Sequence, residues 1–276
     1  MTPDGLYPDR SEAEHRALPL FSPSGFGALS RSPGAWRWQQ DHPIEPTPAM
    51  RLGTLIHSLA LLGHPPDGWV VRPEGLDGRT REGRAWAADH AGATIIGAED
   101  WERALLAALS VRSHPLVAEW LRRGQTEVSM VWTDPVSGVQ AKGRADLVSS
   151  DPDPRIGGPL VADLKVLSSG PDLEPLQRVV YSSGYWLQVP WYAAMLEGLT
   201  GRPHTAVIIA VDSAPPHGVG VYPLGVAYQL AGVRRCRELL SILAECQATG
   251  NYWRDDRDTA PLGGELVMPR WAERVE

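Results

Sequence analysis

The stretch Gly158-Pro-Leu-Val-Ala-Asp163-Leu-Lys165-Val-Leu is apolar enough for a buried strand, yet it carries a carboxylate and an amine two residues apart. Strand side chains alternate between faces, so Asp163 and Lys165 point the same way. Burying both charges is costly unless they pair or hold a metal. Lysine is also scarce: of 26 basic residues only Lys142 and Lys165 are lysines. A chain that uses arginine almost everywhere and keeps lysine here has a use for a compact ammonium rather than a planar guanidinium. The plainer alternative is a salt bridge at a strand end.

The preceding residues enlarge the cluster. Residues 126–134 (TEVSMVWTD) and 139–149 (VQAKGRADLVS) both alternate, and Pro-Val-Ser-Gly between them is a turn signal, so the pair reads as a hairpin. Gln140, Lys142, Arg144 and Asp146 share one face of the second strand, with Val139, Ala141, Ala145 and Leu147 on the other. Glu127 and Ser129 lie opposite Val128, Met130 and Trp132 in the first. A loop at 150–159 leads to the Asp163 strand. Three adjacent strands thus carry Glu127, Asp146, Asp163 and Lys165. If the register brings them together, the carboxylates repel one another unless a hard divalent cation neutralises them, and oxygen ligands select Mg²⁺ or Mn²⁺.

Asp146 followed by Asp163-Leu-Lys165 resembles the signature of the PD-(D/E)xK nuclease superfamily, and the neighbouring motifs sharpen the likeness. Leu52-Gly-Thr-Leu-Ile-His57 resembles the G-x-x-x-H helix of its RecB-like and RecE-like branches. Tyr185-Trp-Leu-Gln188-Val-Pro-Trp-Tyr192 resembles their Q-x-x-x-Y helix. Ser22-Pro-Ser-Gly-Phe, Ser32-Pro, His114-Pro, Glu127-Val-Ser and Gly143-Arg-Ala-Asp146 complete an order similar to the nuclease domain of RecE-type exonucleases (exonuclease VIII). The likeness covers roughly two thirds of the chain.

That resemblance implies an α/β (α+β) restriction-endonuclease-like core, a central mixed sheet flanked by helices. It implies Mg²⁺ held by His57, Asp146 and Asp163, with Lys165 orienting or activating the attacking water and Glu127, Gln188 and Tyr192 around them. It also implies 5′-to-3′ digestion of linear duplex DNA leaving 3′ single strands for recombination, a toroidal homo-oligomer, and a partner that anneals single strands. Two departures stand out. Pro190 inside the Gln188-to-Tyr192 motif suggests a helix that starts near Leu187, because only a first turn accepts proline easily. The 150–159 loop also lengthens the gap between the aspartates.

Residue chemistry supports part of this independently. Phosphodiester hydrolysis builds negative charge on phosphate oxygens already negative, which calls for a cation. His57 lies on an amphipathic helix whose apolar stripe is Leu52, Leu55, Ile56, Leu59 and Leu62; Gly53, one turn below, leaves room beside the imidazole. His64 and His114 lack such support and read as loop or helix-end residues. No P-loop and no G-x-G-x-x-G after a strand is present, and Ser182-Ser-Gly lacks a nucleophile-elbow context. Cys236 and Cys246 are too few for a zinc or iron–sulfur centre, which disfavours the cysteine-cluster nucleases of CRISPR adaptation. The rival readings are a same-fold endonuclease or adaptation nuclease, and a DNA-binding module with a decayed site.

The frame is that of one large or two small domains, with two cysteines, no leader-like segment and no membrane-length apolar run, so a cytoplasmic protein is expected. A net charge of −7 leaves DNA contact to local patches. Arg79, Arg81 and Arg84, or Arg122 and Arg123, are candidates for phosphates. Eleven tryptophans accompany two phenylalanines; most belong to a core, while Trp36 and Trp38 could stack on bases or on partner subunits. Residues 1–20 read as a mobile segment, 21–253 as the catalytic domain and 254–276 as a tail. Residues 64–98 are rich in glycine and arginine, and residues 228–249 form a long helix.

Overall fold

The computed structural model describes residues 2–253. In chain order it runs β1 (Gly5–Tyr7), α1 (Glu12–Ala17), a single 3-10 turn (Pro23–Gly25), α2 (Phe26–Arg31), α3 (Pro33–Asp41), α4 (Pro48–Leu61), β2 (Trp69–Val71), α5 (Arg81–Asp89), β3 (Thr94–Ile96), α6 (Ala98–Ser113) and α7 (Pro115–Arg123). There follow β4 (Gln125–Thr133), β5 (Gln140–Asp153), β6 (Gly158–Leu167), α8 (Leu173–Ser182), α9 (Tyr185–Thr200), β7 (Thr205–Asp212), β8 (Val219–Pro223) and α10 (Val226–Thr249). Six strands form one mixed sheet in the order β1-β4-β5-β6-β7-β8, in which β6 and β7 are parallel, joined through α8 and α9. This is the expected mixed sheet flanked by helices.

Two apolar layers cover the sheet. Helices α2, α9 and α10 pack on one face through Phe26, Trp191, Met195 and Leu240. Helices α4, α6 and α7 pack on the other through Leu55, Ile56, Ala107 and Trp120. Strand β5 serves both layers: Ala141 and Ala145 join the first, Leu147 the second. The single face expected for Val139 to Leu147 therefore changes side at Asp146. A side chain at that crossover belongs to neither core.

Other expectations are corrected. Residues 2–20, read as mobile, contain β1, which pairs with β4, and α1, whose buried His15 meets Ser129 Oγ at 2.7 Å. Lys142 Nζ donates to the carbonyls of His15, Arg16 and Leu18 at the end of α1, so the second lysine anchors this segment. The Gly- and Arg-rich residues 64–98, for which no element was expected by name, hold α5 and the parallel pair of β2 and β3. Leu62 lies outside the buried stripe of α4, at its exposed end. The tail expected at 254–276 lies outside the described residues.

The 150–159 segment is largely strand. β5 extends to Asp153, and a four-residue turn returns the chain into β6. Asp153, 1% exposed, accepts from Trp120 Nε1 at 2.7 Å and from the backbone N and Nε of Arg155 at 2.9 and 2.7 Å. The Arg155 bonds hold the carboxyl far below the usual range; burial opposes them, and Trp120 adds to them. A depressed folded pKa contributes stability that is present above the unfolded value of about 3.9 and is lost as pH falls through the folded one. Asp153→Ala leaves the buried Trp120 indole N–H without its acceptor, while the exposed Arg155 guanidinium can turn to water, so we expect a loss of about 1–3 kcal/mol in urea unfolding at pH 7. An unchanged midpoint would mean that the ion pair adds nothing to the fold.

Candidate active site

The ladder between β5 and β6 supplies the key geometry. Its pairs run Ser149↔Leu160, Val148↔Val161 and Leu147↔Ala162, and stop there. The next residue along each strand is an aspartate: Asp146 on β5, Asp163 on β6. The strands fork at this point, and the backbone amide that loses its partner finds a side chain instead, Leu164 N donating to Asp146 Oδ2 at 2.6 Å. A carboxylate thus sits in the fork because it satisfies an amide the sheet has abandoned.

Four elements fill the fork. From α4, His57 Nε2 lies 2.8 Å from Asp146 Oδ2 and 3.2 Å from the Leu164 carbonyl oxygen. From β4, Glu127 has its Oε1 3.6 Å from His57 Nδ1, and its other oxygen accepts from Arg144. Glu127 adopts φ 58, a left-handed conformation uncommon for a residue other than glycine; backbone strain of this kind persists where surrounding contacts hold it. Arg144 also donates to the Arg10 carbonyl at 3.0 Å, tying the site to the N-terminal segment. A Cβ at Gly53 would meet only open space, so the side of α4 below His57 is uncrowded.

On β6, Lys165 Nζ is 2.6 Å from Asp163 Oδ2 and 3.3 Å from Gln188 Oε1, and stands 4.1 Å over the Tyr185 ring. Asp163 Oδ2 has that ion pair but no hydrogen bond of acceptable angle, while Gln188 Nε2 lies 3.5 Å from Oδ1 and 3.0 Å from Tyr192 OH. The structure therefore brings Asp163, Lys165, Gln188 and Tyr192 together as one group, and His57, Glu127 and Asp146 as another beside it. The ligand-type atoms of that second group lie within 4.8 Å of one another.

Gln188 reaches the site because α9 starts at Tyr185, two residues before the expected position, with Pro190 inside it. Proline has no N–H to bond the Trp186 carbonyl one turn back. That carbonyl faces α10 at Gly232, where a Cβ would come within 2.3 Å of it and 3.1 Å of the Pro190 ring. Close helix contact thus accommodates the proline. Gly143 plays a similar part for Tyr192, whose ring a Cβ would meet at 3.0 Å. Arg144 and Tyr185 lie inside the Gly143-to-Asp146 and Tyr185-to-Tyr192 motifs, but residue type alone gave neither a role. Among the arginines expected to be free for phosphate, Arg79 pairs with Asp77, and Arg123 with Glu119.

The electrostatics follow from burial and crowding. Burial pushes the His57 imidazole down, but Asp146 and Glu127 more than offset it, and its pKa stands well above the ordinary histidine value. Burial raises Asp163, Lys165 pulls it down and Asp146 raises it again, leaving it at about 6. Burial lowers Lys165, and Asp163 and Asp146 outweigh that, so its ammonium is kept charged. Burial also raises the Tyr192 phenol, which keeps it a neutral hydrogen-bonding group. Three carboxylates around one ammonium and one imidazole need either bound protons or a cation.

A sheet that forks between two aspartates, with D-x-K on one of the forking strands and a histidine helix against it, is consistent with the PD-(D/E)xK pattern. A family model described as "PDDEXK-like domain of unknown function" (DUF3799) matches residues 22–253, and the chain belongs to that family. No functionally curated protein matches it. The crystal structure of a "Putative exonuclease" from Eubacterium rectale overlays with a TM-score of 0.58 at 12% identity, over 94% of this chain and 96% of that one, a likeness of fold. A structure called SSO0001 overlays with a TM-score of 0.29 at 16% identity, over 51% of this chain and 67% of that one. None of the described helices is long and apolar enough to cross a membrane.

Proposed function

We propose that this protein is a Mg²⁺-dependent exodeoxyribonuclease that hydrolyses linear duplex DNA from its ends, 5′ to 3′, leaving 3′ single strands for recombination. The observation that carries the nuclease reading is the fork that sets Asp146 beside Asp163, with Lys165 and His57 closing it from either side. The exonuclease part rests on the RecE-like order of motifs. In this reading the protein works as a ring-shaped homo-oligomer with a partner that anneals the exposed strand.

The residues suit a hard divalent cation. His57 and Asp146, whose ligand atoms already lie close together with one of Glu127, would hold it, and Asp163, paired with Lys165 across the fork, would complete the set. When bound, the cation offsets the negative charge that grows on the phosphate oxygens. The protein does the rest. Lys165, held by Asp163, Gln188 and the Tyr185 face, donates a hydrogen bond that fixes the attacking water; as a charged ammonium it orients that water and does not take its proton. Gln188 and Tyr192 hold the lysine and Asp163 at fixed separation.

Two measurements test this reading. End dependence is the first: linear duplex should be degraded progressively while covalently closed circles survive, and the protein should sediment as a multimer. Rapid cutting of closed circles by a monomer would sink the exonuclease assignment and keep only a nuclease. Proton release is the second. With its pKa raised well above 6.5, His57 is protonated at neutral pH in the free protein and must become neutral to act as a ligand. Metal affinity should therefore still climb as pH rises beyond about 6.5. Calorimetry in two buffers of different ionisation heat should detect about one proton released per ion. A release that is the same in His57→Ala would return His57 to a structural role.

A further inference from the structure

An aromatic track leads away from the site. Helix α9 supplies Tyr185, under Lys165, and its next residue, Trp186, lines an open groove of 490 Å³ with Arg31 and Tyr181. Tyr181 is 66% exposed and stacks on Trp186 with ring centroids 5.5 Å apart and planes 13° from parallel. Arg31 also lines a second groove, of 620 Å³, with Trp38, Gln39, His42, Ile44 and Trp253. There Trp38, 57% exposed, stacks on His42 at 3.7 Å and 12°, and Trp253 is 64% exposed. Trp36, read beside Trp38 as a candidate for base contact, is instead core, packed between Phe21 and Tyr252.

Two features separate this surface from ordinary exposed apolar residues. The side chains are flat rings whose freedom is already restricted by a stacked neighbour, so further stacking costs little entropy. Arg31, shared by both grooves, has no hydrogen-bond or ion-pair partner among the described residues, and its position between the two ring pairs, more than its being unpaired, sets it apart. A guanidinium unpaired among the described residues, between two aromatic platforms continuous with the helix that carries Gln188, matches single-stranded nucleic acid. Every base offers a stacking face, and the phosphates between them need a cation.

We propose that the Tyr181–Trp186 and Trp38–His42 platforms, with Arg31 between them, bind single-stranded DNA entering or leaving the site. The proposal rests on the nuclease reading for its biological sense, but its test does not. Binding of a dye-labelled single-stranded dodecamer is measured by fluorescence anisotropy on the intact chain with all metal chelated, so that no cleavage is needed. Trp38→Ala and Tyr181→Ala should each weaken binding roughly five- to a hundredfold, the range of one base–aromatic stack. Tyr181→Phe should retain it, and Arg31→Ala should lower the salt dependence by about one phosphate contact. With Mg²⁺, the same alanine variants should hydrolyse bis(p-nitrophenyl) phosphate, which is too small to reach either groove, at the parent rate. Oligonucleotide affinity unchanged in both alanine variants, or none in the parent, overturns the proposal. So does a change of sedimentation coefficient without a change of affinity, which would make the surface an interface between copies. Failure of the nuclease reading looks different: a parent protein that binds the dodecamer normally and cleaves no phosphodiester in Mg²⁺.

Discussion

Lys165→Arg is expected to lower phosphodiester hydrolysis by at least about a hundredfold, the scale of losing one positioned catalytic group, with DNA binding retained. Charge is the same in both side chains; shape is not. The Lys165 side chain is 13% exposed, and its ammonium fits between Asp163 Oδ2 at 2.6 Å, the Gln188 amide oxygen at 3.3 Å and the Tyr185 ring at 4.1 Å. A guanidinium is wider, donates in a fixed plane and would seek a bidentate grip on Asp163. That would swing the donor away from the attacking water and draw Asp163 out of place. Arginine is a sharper probe than alanine, which would leave Asp163 without its counter-charge and confuse folding with catalysis. Single-turnover cleavage, with binding measured separately in chelator, reads the two effects apart. Near-parental cleavage by the variant would make Lys165 a structural ion-pair partner.

Chelation should abolish activity altogether, Mg²⁺ or Mn²⁺ should restore it, and Ca²⁺ should bind without supporting turnover. The physical reason is crowding. Glu127, Asp146 and Asp163 share a largely buried fork; in the free protein burial and Asp146 raise Asp163 to about 6, and Asp146 and Glu127 raise the His57 pKa well above its ordinary value. A divalent ion would counter both shifts. Binding should also stabilise the fold, by about 2.7 kcal/mol at a hundred times the dissociation constant. Thermal unfolding with and without Mg²⁺ therefore supplies a readout independent of cleavage, and Asp146→Asn should remove the shift. Cleavage that persists after exhaustive chelation would end the two-aspartate reading.

The chemistry of the fork was legible in the chain because it rests on short-range rules. Alternation placed Asp163 and Lys165 on one face of β6 and paired β4 with β5 as a hairpin. The i to i+4 spacing put Gln188 and Tyr192 on one side of α9, where they hydrogen-bond. A nearly all-arginine chain marked its two lysines, and each has a defined set of partners.

What the pattern could not decide was set by contacts between residues far apart in sequence. Whether Pro190 ends a helix depends on what meets the freed Trp186 carbonyl, and that is Gly232 of α10. Whether residues 2–20 are ordered depends on the open edge of β4 and on Lys142, more than a hundred residues on. The most consequential decision was the fork itself. Period-two alternation runs unbroken through residues 139–149, yet Ala145 and Leu147 enter opposite cores because β5 leaves β6 at Asp146. Strand periodicity states which side chains share a face while the ladder holds. Where the ladder ends is settled by the competition between backbone pairing and a carboxylate that can take over the lost amide, here Asp146 on Leu164.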